Sequence, residues 1–473
     1  MFHSLKYPSY QHFFQDSSGW DWYETKASEY NKLTTQDYAD NNKKIRQGGK
    51  PALFSQMLEK IKEKDADIVA FSIVYSSQAF YANILLSELK DRVLELERHD
   101  AKTHKQAHEP EDDFSMEKES HGYDFDAVSL ENNPKKIVTG SKVMDGSTPK
   151  KADSNSKIIR TIVGGPAVNE VLTSKADYFL KNEIELLENI TGKEVDHASL
   201  KLDFAIDFSC FEPKNYFVPQ MVVPLKTSTT CYHKGCTFCS HYAKVPYAEY
   251  SLDAISRTVK DSKAKCFFLI DDMIPALRLL KLAAIFGPLG VRWGCQLRPT
   301  KEFTFDVLKK LHDCGLDFVI WGVESGSDRV LKAMKKGTNS SDVSLVLENS
   351  SKAGIKNICY IMFGFPTETK EEFLETISFL QGNASSIDLV STSVFGLLSG
   401  TPMHMDPSLY GISEIVEEKR MLLGPKLSYT VSSGLTQQEA KDLRDNYKRT
   451  LEKMNRFPKS MNFFREHVFF KKR

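Results

Sequence analysis

Apolar and polar positions along the chain fall into two differently patterned regions. In the first, Pro51 opens a helical stretch over 52–64, a first-turn position that proline tolerates well. Residues 67–75 form a continuous apolar run rich in β-branched side chains, the pattern of a strand buried on both faces of a parallel sheet. Residues 76–98 follow at helical spacing through Ile84, Leu85, Leu89, Val93 and Leu94. After a long polar interruption, 157–166 reads as a strand ending in Gly164-Gly165-Pro166, and 176–180 as another short strand. This order predicts an open, doubly wound, Rossmann-like α/β domain. In such a sheet Gly164 and Gly165 serve either as a ligand-binding turn or as a plain tight turn. Ser72, Tyr75, Ser76 and Gln78 lie on the same carboxyl rim, where they contact a ligand or cap the next helix.

From Val222 the alternation becomes regular. Strand-like segments fall at 222–228, 265–270, 291–297, 318–323, 358–363 and 389–395, with helical stretches such as 303–314, 343–353 and 370–380 between them. Six βα units in about 180 residues predict a parallel partial (β/α)6 barrel, whose chemistry belongs at the carboxyl ends of its strands. Residues 436–473 read as a charged, helical tail with aromatic pairs Phe463-Phe464 and Phe469-Phe470. Residues 1–50 are aromatic and polar without periodicity, and predict a segment that packs on something else. Between about 99 and 157 the composition turns charged and poor in apolar residues, which predicts a disordered surface insertion. His99, His104, His108 and His121 fall there as solvated side chains or, alternatively, metal ligands. The expected division is an aromatic segment 1–50, a Rossmann-like domain 51–200, a barrel 205–400 and a helical extension 401–473.

Composition narrows the class. The 473 residues carry 63 basic and 63 acidic side chains, so the net charge is zero and a nucleic-acid-coating protein is not expected. The 41% hydrophobic content supports a large core. No apolar run reaches the ~18 residues of a membrane helix, and the start lacks a basic segment followed by an apolar one. Eight cysteines are too few for a disulfide scaffold. These features predict a cytoplasmic protein with reduced thiols and neither a nucleic-acid nor a membrane partner.

Three of the eight cysteines cluster in Cys231-Tyr-His-Lys-Gly-Cys236-Thr-Phe-Cys239, just after the first barrel strand. Cys210, Cys266, Cys295, Cys314 and Cys359 are dispersed among apolar residues, as small core side chains would be. Three close thiolates admit two readings. A structural zinc site needs a fourth ligand, which His233 or His241 supplies. A 4Fe–4S cluster on three cysteines leaves one iron open to an external ligand.

Further motifs follow in order: Trp293-Gly-Cys-Gln-Leu-Arg298, Gly322-Val-Glu-Ser-Gly-Ser327, Val330 to Thr338, and Gly364-Phe-Pro-Thr-Glu-Thr369. With the cysteine loop they resemble the radical S-adenosylmethionine (SAM) enzymes, and within them the cobalamin-binding class, over about 65–400. Four residues rather than the usual three separate Cys231 from Cys236. Asp271-Asp272-Met273 stands where the family often has a Gly-Gly-Glu-like turn. Upstream, Asn182-Glu-Ile-Glu185 replaces a Gly-Glu-Gly-Glu pattern, no first strand is recognisable before residue 50, and no Asp-x-His-x-x-Gly supplies a histidine to cobalt.

The resemblance implies that Cys231, Cys236 and Cys239 hold a 4Fe–4S cluster whose fourth iron chelates SAM. One electron then cleaves the sulfonium to methionine and a 5′-deoxyadenosyl radical. It further implies that Phe238 packs on the adenine and Arg298 meets the SAM carboxylate. Glu324 takes the ammonium or ribose, Ser325 adds a hydroxyl contact or caps a helix, and Gly364 shapes the turn near adenine. Lys335, Lys336 and Gly337 close the helix before them, where cations suit the dipole and glycine the C′ position. Cobalamin, if held, sits over Gly164, Gly165, Ser72 and Ser76. An electron donor such as flavodoxin or ferredoxin, and a small-molecule or peptide substrate, complete the implied partners. The implied activity is methylation or related C–H functionalisation. The alternatives are a cobalamin-free radical SAM enzyme and a non-catalytic Cys3His zinc module.

Overall fold

A computed structural model describes residues 21–73, 78–89, 159–165, 168–194, 203, 205–209, 211, 216–239, 246–418 and 426–471. Tyr75, Ser76, Cys210, His241, the first twenty residues and the expected insertion at 99–157 lie outside them. The chain divides into two compact units, residues 39–198 with 421–424, and residues 1–38, 199–420 and 425–473.

The smaller unit is a three-stranded parallel sheet of β1 (Ile68–Ser72), β2 (Arg160–Gly164) and β3 (Tyr178–Leu180) in that order. Helix Phe54–Lys62 and helical residues 78–89 turn Phe54, Leu58, Leu85 and Leu89 into one apolar cluster. Leu86, Ile73, Val163 and Leu172 form a second. Before residue 50, where no strand was legible, the described chain is a helix, Tyr23–Arg46. Both glycines ending β2 have a backbone reason. A Cβ on Gly164 would lie 2.9 Å from the Leu180 carbonyl oxygen. One on Gly165 (φ +106°) would lie 2.5 Å from that of Ile73. Ser72 is exposed, in register with Gly164.

The larger unit holds six parallel strands: β4 (Val222–Leu225), β5 (Cys266–Leu269), β6 (Arg292–Leu297), β7 (Leu316–Glu324), β8 (Lys356–Phe363) and β9 (Leu389–Val394). They pair in chain order. The protein is therefore α/β, a three-stranded parallel sheet followed by a six-stranded parallel partial barrel. Alternation along each strand sorts the core. On β7, Val319, Trp321 and Val323 pack under the helices, while Phe318 and Ile320 face inward. Four of the helices between the strands begin on a capping side chain, Ser251, Thr304, Asn339 and Thr369, the last in a capping box with Glu372, while helix Ala276–Leu289 begins after Pro275 without one.

The C-terminal tail closes the amino-terminal mouth of the barrel. Phe457, Met461, Val468 and Phe469 pack with Tyr23, Phe217, Phe318, Ile358 and Leu389. Buried His467 accepts from the Tyr23 hydroxyl at Nδ1 (2.8 Å), and its Nε2 faces the Phe217 carbonyl (2.6 Å), so Nε2 carries the proton. Burial lowers its pKa to about 4. Between barrel and tail lies an antiparallel hairpin, β10 (Ile412–Glu418) and β11 (Lys426–Val431), inside the segment expected to be helical. Its strands are mostly exposed and rich in Glu and Ser, which leaves little apolar period to read.

One buried amide ties the barrel wall to its helices. The Asn357 side chain accepts from Trp321 Nε1 (2.8 Å) and Ser350 Oγ (2.6 Å), and donates to the carbonyls of Leu347 (3.0 Å) and Ser386 (2.7 Å). Asn357→Ala removes four buried hydrogen bonds and should lower stability by about 3 kcal/mol. Urea unfolding followed by tryptophan fluorescence checks this, and a midpoint indistinguishable from wild type would contradict it.

Candidate active site

The cysteine loop leaves β4 and returns to helix Leu252–Ser262. Its root is stitched by backbone: Tyr250 donates to the Thr227 carbonyl (3.0 Å) and Thr229 to that of Ala248 (2.9 Å). Asp271, just beyond β5 and 2% exposed, anchors it from the sheet. Its carboxylate accepts the Thr227 amide (3.0 Å to each oxygen), the Thr227 hydroxyl (3.1 Å) and the Ser228 hydroxyl (2.6 Å). Burial raises its pKa, and these donors oppose that rise. Asp271 occupies the position of a ligand-binding turn in the resembled family, but its carboxylate is spent on the loop root.

Further along, the Thr237 amide donates to the Met334 carbonyl (3.1 Å), and the Cys239 amide to that of Cys236 (3.3 Å). The loop is thus held against helix Asp328–Ala333. Cys231, Cys236 and Cys239 are half-buried. Burial pushes the Cys236 thiol up, Lys336 pulls it down, and Cys239, Cys231 and Glu324 push it up again. Cys231 and Cys239 therefore both lie within reach of the charge on Cys236. A cationic centre that takes them as thiolates relieves that repulsion, as a 4Fe–4S cluster would. Cys266, Cys295 and Cys359 are buried, the last two in the helix-facing core, and Cys314 packs beside that core. Among the described residues no three His, Cys, Asp or Glu side chains converge closely enough for a single metal ion. His233 is engaged elsewhere: Nδ1 lies 2.6 Å from Arg298 Nη1, and Nε2 lies 3.0 Å from the Lys335 carbonyl oxygen.

Lys336 organises the rim opposite. It is 5% exposed, donates to Glu324 Oε1 (2.7 Å), and its ammonium stands 5.8 Å from the centroid of the Phe238 ring. Its carbonyl accepts from Arg298 Nη1 (2.9 Å), which also faces His233. Arg298 Nε is buried without a hydrogen-bond partner. Two glycines keep room for this network. A Cβ on Gly322 would lie 2.9 Å from Lys336 Nζ, and one on Gly337 2.6 Å from Arg298 Nη1. Glu324 itself has φ +66°, at an irregularity in the β7–β8 pairing. A glutamate there costs on the order of 1–3 kcal/mol and persists only where its surroundings fix it.

The other expected site residues divide by role. Phe238 is half-buried against Val330, Met334, Phe365 and Met403. Ser325 is fully buried; its hydroxyl lies 3.1 Å from that of Thr376 and accepts the Ser327 amide (3.1 Å). It pins the turn after β7 and is not open to a ligand. Gly364 (φ +72°) donates its amide to the Glu368 carboxylate. In the smaller unit Asn182 caps helix Glu183–Thr191, accepting the Ile184 and Glu185 amides at 2.9 Å each. That cap explains an asparagine where the resembled pattern has glycine.

Sequence reasoning missed three contributors. Lys336 read as a helix-closing cation, because nothing in the sequence marks it as buried. Asp271 was marked only as standing where the resembled family has a Gly-Gly-Glu-like turn, with no role as an anchor of the cysteine loop. Glu368 received no role, although a carboxylate between Pro366 and Thr369 is compatible with a turn anchor.

A six-stranded parallel partial barrel with a three-cysteine loop at its carboxyl edge defines a class. Residues 225–380 match the family described as "Radical SAM superfamily". That family's cofactors are a 4Fe–4S cluster and SAM. The chain is 26% identical over 217 residues to a "Probable threonylcarbamoyladenosine tRNA methylthiotransferase" of Methanocaldococcus jannaschii, covering 42% of this chain and 50% of the other. It is 24% identical over 248 residues to the "Bacteriochlorophyllide d C-12(1)-methyltransferase" of Chlorobaculum tepidum, covering 48% and 52%. The chain thus spans about half the length of the curated relatives it matches. Among solved structures, the apo form of the cobalamin-dependent SAM radical enzyme OxsB aligns at TM-score 0.49 and 16% identity, covering 84% of this chain and 60% of that one. Among the described residues no helix is long and apolar enough to cross a membrane.

Glu368 gives a pH signature. It has no exposed surface, one of its oxygens lacks any hydrogen-bond partner, and burial raises its pKa from 4.5 to about 7. The folded chain holds this proton more tightly than the unfolded chain does. The stability that this proton contributes is therefore fully present below pH 4.5 and is lost as pH rises to about 7. From pH 5 to 8 the wild type should lose on the order of 2 kcal/mol relative to Glu368→Gln in paired urea unfolding curves. Parallel pH profiles would contradict this.

Proposed function

We propose that this chain is a radical SAM enzyme in which Cys231, Cys236 and Cys239 hold a 4Fe–4S cluster. The observation that carries the reading is three half-buried thiols on one loop at the carboxyl edge of a parallel barrel, with the other described cysteines packed in or beside the core. When bound, the cluster supplies the electron for reductive cleavage of SAM. The chain's own residues do the rest. The Asp271 anchor and the Thr237 contact hold the loop in place. Arg298, with a buried donor unused, offers charge-assisted hydrogen bonding to a carboxylate such as that of SAM. Glu324, pre-set by its strained backbone and by Lys336, presents an acceptor for an ammonium or for ribose hydroxyls. Phe238 and its apolar neighbours offer a face for adenine and exclude water. The electron comes from a flavodoxin or ferredoxin, and the substrate is a small molecule or peptide.

The reading is tested with anaerobically reconstituted protein. The wild type should bind about four irons and four sulfides, show the brown visible absorption of such a cluster, and release 5′-deoxyadenosine with a reductant. Cys→Ala at any of the three positions should abolish both signals. Stoichiometric zinc without iron after reconstitution would overturn the reading in favour of a zinc module.

We extend it to methylation, on the strength of the match to the Chlorobaculum tepidum methyltransferase, with a corrinoid held by the smaller unit as the cofactor that the resemblance to the cobalamin-binding class implies. The described residues do not themselves show a cradle: backbone of Leu180 and Ile73 fills the space that Gly164 and Gly165 leave. That observation favours the second reading, a radical SAM enzyme without cobalamin. Hydroxocobalamin titration with equilibrium dialysis separates the two. Methylation predicts retention at tens of micromolar with a base-off absorption spectrum; the absence of retention leaves the cobalamin-free enzyme.

A further inference from the structure

The barrel interior carries a second polar group of side chains that the cysteine rim does not use. Inward positions on β7 run from Phe318 and Ile320 in the floor cluster to Gly322 and Glu324 at the rim. Tyr360 of β8 is in register with Gly322, one inward step above Ile358. Its hydroxyl is buried and has no hydrogen-bond partner. Over its ring, 4.8 Å from the centroid, stands the guanidinium of Arg465, from the closing turn Arg465–Phe470 of the tail. Arg465 Nε is likewise buried without a hydrogen-bond partner.

Among the described residues no carboxylate comes within ion-pair distance of Arg465. Glu466, its neighbour in sequence, and Glu324, above Tyr360, are the acidic groups whose charge reaches this pair. The unused capacity is mainly donor: a guanidinium has no acceptor, and the phenol O–H has no partner to donate to. Buried polar groups in folded proteins are hydrogen-bonded, and this half-buried guanidinium keeps one buried donor that is not. Water satisfies donors but does not balance the charge. An oxyanion does both, and guanidinium is the side chain best matched to one.

We propose that Arg465 and Tyr360 form an oxyanion site inside the barrel that seats the carboxylate or phosphate of the substrate, an inference that rests on the radical SAM reading of this barrel. Glu324 at the rim repels a second anion, so the site also sets direction. The charged end of the substrate goes to Arg465 and its body extends toward the cysteine loop. Arg465 lies outside the 225–380 match, so this part of the specificity comes from the chain's own tail.

The test titrates the full chain, without SAM, with benzoate and separately with inorganic phosphate, and follows the thermal transition. The expected result is saturable stabilisation by at least one probe, weakened at least tenfold in Arg465→Gln and several-fold in Tyr360→Phe. Benzoate alone identifies a carboxylate, phosphate alone a phosphate. No saturable effect of either probe overturns the site, as does stabilisation that both variants retain in full. If Arg465→Gln does not fold, Tyr360→Phe decides, and unchanged binding there overturns the site. The readout needs no radical chemistry. A chain that binds iron but neither probe loses only this proposal, and one that binds a probe but no iron loses only the cluster.

Discussion

A buried cation at the carboxyl rim of the barrel holds the candidate site together. Lys336 pairs with Glu324, stands over Phe238, draws down the Cys236 thiol, and through its carbonyl takes a hydrogen bond from Arg298. Arg298 in turn meets His233 of the cysteine loop. One lysine thus joins the ends of β6 and β7 to the loop that carries the three thiols. Desolvating such a pair costs several kcal/mol per ion, which its mutual attraction only partly returns. Its placement is therefore better explained by the charges it sets around the thiols than by stability.

Glycines show how tightly that rim is built. Gly322 and Gly337 leave the space that Lys336 and Arg298 occupy, while Gly326 lies against Thr376 and Phe379. The glycines of the smaller unit do a different job, admitting neighbouring backbone. The same residue type serves side-chain room in one unit and strand approach in the other. Sequence does not distinguish these uses, because both ask only for a missing Cβ.

The barrel was legible because its strands are long apolar runs bounded by polar turns, and β7 and β8 fall within two residues of their expected limits. The three cysteines were legible because their spacing is local. Lys336, Asp271 and the Tyr360–Arg465 pair were not, since each acquires its role from a partner distant in sequence. Arg465 and Tyr360 stand more than a hundred residues apart and meet only because the tail folds back into the barrel mouth. The hairpin β10–β11 was missed for a different reason: exposed strands carry little apolar alternation.

Three thiolates that leave one iron of a cluster open to SAM are the centre of the proposed chemistry. Electron paramagnetic resonance of the dithionite-reduced, reconstituted chain tests this most directly, recorded before and after SAM is added. The expected result is a cluster signal whose g values change on adding SAM, because the added molecule becomes a ligand. A cluster signal unchanged by saturating SAM would contradict it.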